Sequence, residues 1–245
     1  VSGKGEDPLA RLEQQFETDW GRSIADAIGH HEVAGASAVL VDETEPMAHR
    51  VWGWRNLERE LPTTHDTRYP AASLTKLVAA LTLVGADRRG DLNLDRSLEA
   101  FARSYPRSTV ARWRRQAFAR WRAHWPLQIT YRRLLSHGAG LDTHGIGHFG
   151  QDAACNAVEG IILGRPGAPG CGGVRPRHPP GKRLRYSGGG YTIAESMLET
   201  ETGQAFGDYD TKHVLVPYGL ARSTFADAHP SMPHLARGCC RGDCR

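Results

Sequence analysis

The stretch YPAASLTKLVAALTL, Tyr69–Leu83, decides how this chain is read. A proline and two alanines lead into Ser73, and Lys76 follows at the head of an apolar run. Residues three apart on a helix share a face, so this spacing sets a hydroxyl and an amine side by side. A serine hydroxyl is a weak nucleophile until a neighbouring base takes its proton. A lysine serves as that base once burial or a nearby cation lowers its pKa. Backbone N–H groups and the positive helix end at the first turn also favour a developing oxyanion. The pattern suits acyl transfer through a covalent acyl-enzyme. The tetrapeptide alone is weak, because a chain of this length holds about one S-x-x-K by chance. An N-cap serine with a solvated lysine would look the same.

Outward from this helix, placed at Ser73–Asp87 and ended near Gly90, the patterning is clear. Residues 8 to 31 read as one helix, with Leu9, Leu12, Phe16, Trp20 and Ile24 recurring at three- and four-residue steps. Ala38–Val41 form an apolar run suited to a buried strand. The turn DETEP and a second strand over His49–Trp54 complete a β-hairpin. DLNLDRSL, 91 to 98, reads as a turn feeding a short helix. Residues 107 to 125 are a helix with Val110, Trp113, Ala117, Phe118, Trp121 and Trp125 on one face. Thr130 is placed to cap a short helix stopping at Gly138. Residues 143 to 183 form a long Gly/Pro/His/Cys-rich loop with one helix, Ala153–Leu163. Helices over Tyr191–Glu201, ended by Gly203, and Phe206–Leu215 follow.

The 245 residues are 40% hydrophobic and 24% charged, an ordinary globular composition with enough length for a core. No apolar run approaches the roughly 20 residues of a membrane span. The chain begins at Val1 with a polar segment that lacks a signal-peptide core; a removed leader and an internal start are both open. The net charge of +4 names no partner, but Phe101–Leu141 holds nine arginines and no acidic residue. Basic residues interleaved with aromatics occur on nucleic-acid-binding surfaces. A packed aromatic face with solvated arginines explains them better, and no nucleic acid is expected. The five cysteines cannot all pair. Cys155 and Cys171 could bridge across their loop. Cys239, Cys240 and Cys244 crowd a tail whose spacing fits no familiar zinc pattern. His144 and His148 are four apart, but Gly145 and Gly147 oppose a helix there. No metal or organic cofactor is expected.

Five ordered blocks resemble the penicillin-recognising serine hydrolases: class C β-lactamases, D-alanyl-D-alanine carboxypeptidases and related esterases. They are the hairpin VAGASAVLV…VWGWRN; TRYPAASLTKLVAALTLVGADRRGDLNLDRSL; ITYRRLLSHGAGL; PGKRLRYSGGGYTIAESMLETETGQAF; and VPYGLARSTF. The resemblance implies an α/β fold of the β-lactamase/transpeptidase type, a helical subdomain packed on a central antiparallel sheet. It divides the chain into an N-terminal helix (1–32), a β-lactamase-related domain (33–228) and a Cys/Arg-rich tail (229–245). It implies Ser73 as nucleophile, Lys76 as its partner and Tyr186 as the phenol near both, with either Lys76 or Tyr186 as the base. It puts Ser187 and Gly188 against the substrate, an ester, β-lactam or peptide, and is compatible with a periplasmic or secreted setting. His137, in LLSHGAGL, is expected to brace a turn behind the site.

Two departures stand out. The family's Tyr-x-Asn reads Tyr186-Ser187-Gly188, which removes a side-chain amide for an acylamide carbonyl and favours simple esters. The later strand with a K-T-G or H-x-G motif, which supplies the second oxyanion N–H, has no counterpart after Tyr186. The expectation is a sheet missing its C-terminal strands, through a frameshift or early stop after 217–225. A non-catalytic remnant or binding protein of the same fold is the alternative.

Overall fold

A computed structural model describes residues 7–42, 45–118, 124–143, 158–164, 172–225 and 234–236. The chain divides into two compact units, Val1–Ala71 with Asp227–Arg245, and Ala72–Ala226.

In the first unit, the expected single helix over 8 to 31 is two. α1 spans Pro8–Trp20, begun by the Asp7 side chain accepting from the Leu9 N–H. Gly21 ends it in the left-handed conformation, at φ 67°. Ser23 then caps α2, Ile24–His30, by accepting from the Asp26 N–H. Apolar periodicity runs across the break, and the stop and start signals inside it decide the matter. β1 (Gly35–Asp42) pairs antiparallel with β2 (Glu45–Asn56), so the hairpin is longer than expected. The short β3 (Leu61–Pro62) adds to β2, giving a sheet in the order β1-β2-β3 among the described residues. Residues 234–236, in the segment set aside as a tail, return to this unit. Leu235 forms a parallel bridge with Arg68 through hydrogen bonds of 2.8 Å on either side.

The second unit is helical: a 3₁₀ turn at Ala72–Leu74 leads into α3 (Thr75–Arg89), which ends on left-handed Gly90. α4 (Leu98–Ser104) and α5 (Thr109–Ala117) are capped by Ser97 and Ser108. A 3₁₀ turn at Trp125–Leu127 precedes α6 (Tyr131–Leu135), capped by Thr130 as expected. α7 covers Val158–Leu163, α8 Gly188–Thr202 and α9 Phe206–Asp210, which continues as a π-helical turn over Thr211–Leu215. No helix among the described residues is long and apolar enough to cross a membrane.

The core of this unit gathers around α8. Ile193, Ala194, Met197 and Leu198 are fully buried, with Leu83, Phe101, Trp113, Tyr131 and Leu134 in the same cluster. The helix starts three residues earlier than its sequence suggests. Glycines disfavour helix in isolation, but here they allow close packing. A Cβ on Gly189 would lie 2.6 Å from Val174 Cγ2. The far end of α8 is tied down by Glu201, which accepts from Tyr131 Oη at 2.7 Å and pairs with Arg96 at 2.5 Å. Asp95, at the end of GDLNLD, binds Arg132 through two contacts of 2.8 Å, while Leu92 and Leu94 enter the core.

Of the single helix expected over 107 to 125, the described part is α5, which ends at Ala117, and a 3₁₀ turn that starts at Trp125; residues 119–123 lie outside the described set. Trp113 and Trp125 are buried, and Trp113 Nε1 donates to the Val174 carbonyl at 2.7 Å. Arg114 pairs with Glu99 and Arg112 with Glu159. The described aromatic residues of that face, Trp113, Phe118 and Trp125, are core, and Glu159 and Glu99 supply the counter-charges of Arg112 and Arg114.

Candidate active site

Ser73 sits in the 3₁₀ turn at the head of α3, and Lys76 in the first turn of the helix proper. Ala72, just before the serine, has φ 45°, a left-handed conformation uncommon for a residue with a Cβ. The bend leaves Ser73 exposed and Lys76 half-buried. Lys76 Nζ donates to Ser73 Oγ at 3.4 Å, the adjacency the three-residue spacing implies.

Tyr186 arrives from 113 residues away and its Oη donates to Ser73 Oγ at 2.7 Å. Lys76 Nζ lies 5.0 Å from the centre of the Tyr186 ring and 5.7 Å from that of Tyr191, so the ammonium is flanked by two aromatic rings. Hydrogen bonding to Lys76, and then to Ser73, holds the Tyr186 phenol below its ordinary pKa. Ser73, Lys76 and Tyr186 are thus together, in one unit.

What carries Tyr186 there is a pairing of two irregular segments. Leu141 bridges Pro176 antiparallel; the Gly140 carbonyl accepts from the N–H groups of Arg177 and His178; and Gly138 accepts from Gly181 at 2.8 Å. Gly140, at φ 74°, is required here, because a Cβ would lie 2.0 Å from the His178 carbonyl oxygen. Within the same pairing the Asp142 side chain binds that of Arg185 at 2.8 Å.

His137 closes the pairing beside the phenol. It also has a left-handed backbone, φ 57°. Its carbonyl accepts from the Arg185 N–H at 2.9 Å, and its Nδ1 accepts from the Ser187 N–H at 3.2 Å. Its ring lies 4.5 Å from that of Tyr186 and 5.5 Å from that of Tyr191. Burial, and then the charge of Lys76, push its pKa below the ordinary histidine value. Tyr191, whose Oη donates to the Leu135 carbonyl at 3.0 Å, belongs to the surroundings of Lys76. Sequence reasoning gave it no role, though it ends the block SGGGY.

Ser187 is buried, and its hydroxyl is committed to the start of α8: it donates to the Thr143 carbonyl at 3.1 Å and accepts from the Gly190 N–H at 3.2 Å. Gly188 is buried as the first residue of α8. No group of three or more His, Cys, Asp or Glu suited to a metal occurs among the described residues. His144, His148 and the five cysteines lie outside them.

The chain belongs to the β-lactamase family: the family model "Beta-lactamase" matches residues 9–240. Its curated relatives include Protein flp of Staphylococcus aureus (strain MW2), 23% identical over 216 residues, and the D-aminopeptidase of Brucella anthropi, 24% identical over 191 residues. The alignments cover 86% and 77% of this chain but 38% and 32% of those proteins. Among solved structures, a class C β-lactamase superposes with a TM-score of 0.64 at 16% identity, covering 99% of this chain and 58% of that one. EstCE1, a hydrolase with promiscuous acyltransferase activity, gives 0.63 at 21% identity, covering 94% and 56%. The fold is therefore of the β-lactamase/transpeptidase type. The chain spans between about a third and three-fifths of the length of these relatives.

Proposed function

We propose that this chain carries the nucleophile-bearing part of a serine hydrolase that works through an acyl-enzyme. The observation that carries this reading is the convergence of Tyr186 Oη and Lys76 Nζ on Ser73 Oγ, at 2.7 and 3.4 Å. Ser73 Oγ bonds to the acyl carbon of the substrate. Its proton passes to the Lys76–Tyr186 pair and then to the leaving group as the ester or amide bond breaks. Water hydrolyses the acyl-enzyme and restores the hydroxyl. Only the deprotonated phenol can accept that proton, and the hydrogen bond from Lys76 that lowers the Tyr186 pKa raises the fraction present as phenolate.

Ester substrates fit best. Gly188 offers no side-chain amide to an acylamide carbonyl, so peptides and β-lactams lose a contact that esters need less. Ser187 acts here by fixing the start of α8 rather than by touching substrate.

The test is covalent labelling with a fluorophosphonate and a fluorescent penicillin, beside turnover of a p-nitrophenyl ester. Labelling of wild type that vanishes in Ser73→Ala, with ester turnover exceeding β-lactam turnover, is the expected result. Wild-type protein that resists every reagent would sink the reading and leave a binding protein of the same fold.

A further inference from the structure

We infer that His137 is a positioning residue for Tyr186, gripping the backbone on both sides of the tyrosine so that the phenol reaches Ser73. The inference rests on the proposed roles of Ser73 and Tyr186. Its own observations are separate. The His137 carbonyl takes the N–H of Arg185, and His137 Nδ1 takes the N–H of Ser187. The two residues flanking Tyr186 are therefore bound by one residue, whose ring also lies against the phenol at 4.5 Å. A backbone N–H can only donate. Nδ1 must therefore be the unprotonated nitrogen, and a neutral ring carries its proton on Nε2.

The left-handed backbone of His137 makes this grip geometrically accessible, because it turns carbonyl and ring toward the same partner segment. Histidine and asparagine tolerate that conformation better than most residues, and glycine adopts it freely. The grip lies next to a second fixed point, the Ser187 hydroxyl bound to Thr143 and Gly190. Between them, any shift of the Tyr186 backbone breaks hydrogen bonds made by the residues on either side of it.

The test compares His137→Gly, which keeps the backbone conformation without strain but deletes ring and acceptor, with His137→Asn, whose Oδ1 can replace Nδ1 as acceptor. Thermal unfolding first confirms that each variant folds. Misplacing a reacting group by about 1 Å costs on the order of 100-fold. Labelling of Ser73 by a fluorophosphonate should therefore slow about that much in His137→Gly and recover most of the way in His137→Asn. A ¹³C-tyrosine titration gives a readout independent of catalysis: Tyr186 should titrate below the usual phenol range in wild type and His137→Asn, and move back toward it in His137→Gly. Nitrogen NMR should show the wild-type Nδ1 as the unprotonated one. Unchanged Tyr186 titration in His137→Gly, or an Asn variant as impaired as the Gly variant, overturns the inference. If wild type is not labelled at all, the nucleophile reading falls, while the tyrosine titration still decides the role of His137.

Discussion

α3 and α8 are matched helices with unequal surroundings. Each has 15 residues, each ends on a left-handed glycine, and each has a site residue just before or within its first turn. α8 buries nine of its residues and α3 four. Along α3, Leu77 is 69% exposed and Leu81 44%, in line with Leu74 just before the helix at 76%. The phenol is therefore anchored to a helix packed nearly all round, the hydroxyl and amine to one held along a single face. The difference teaches that the geometry of the site is inherited mainly from α8 and the segments pinned to its start, with α3 delivering a locally determined pair of side chains.

The sharpest way to break that contrast is in the core. Met197→Ala removes a fully buried side chain from α8 and should cost about 2–5 kcal/mol, read by urea unfolding. Tyr186→Phe retains the packing of the ring and deletes its proton; it should slow acylation by about 100-fold or more while leaving the melting temperature nearly unchanged. Gly189→Ala should destabilise by about 1–3 kcal/mol, since the new methyl meets the branched Val174 side chain.

A smaller effect follows from His137. Its folded-state pKa lies below the unfolded value, so the unfolded chain binds more protons at mildly acidic pH. The stability this contributes is fully present above the unfolded pKa of about 6.5 and is lost as pH falls through the folded one. Wild-type unfolding free energy should fall across that window more steeply than that of His137→Asn; parallel profiles would count against a neutral, accepting imidazole. The smallest effect belongs to the outer face of α3. Leu77→Gln should change stability by no more than about 0.5 kcal/mol in a melt, and a large loss would show that this face is covered in solution.

How far the sequence could be read tracks the range of the interactions. Thr130, Gly90 and Gly203 mark helix ends through bonds to residues at most four away, and each is where its local signal puts it. Gly21 and Ser23 carried the same kind of signal, hidden under a periodicity that spans two helices. The start of α8 was out of reach, because three glycines look like a loop until Val174 and Thr143 are known to press against them. So was the two-sided hold on Tyr186: an S-H-G turn gives no sign of the distant segment it will bind, only that a histidine precedes a glycine.

By itself, then, the sequence determined that Ser73 and Lys76 stand together, because one helical turn fixes their separation whatever surrounds it. The motif resemblance named Tyr186 as the phenol near that pair; only the tertiary structure decided how it reaches the hydroxyl from 113 residues away, with His137 and Ser187 holding its neighbouring backbone. That meeting depends on the pairing of 137–142 with 175–187 and on the burial of α8, and no residue within either segment encodes the position of the other.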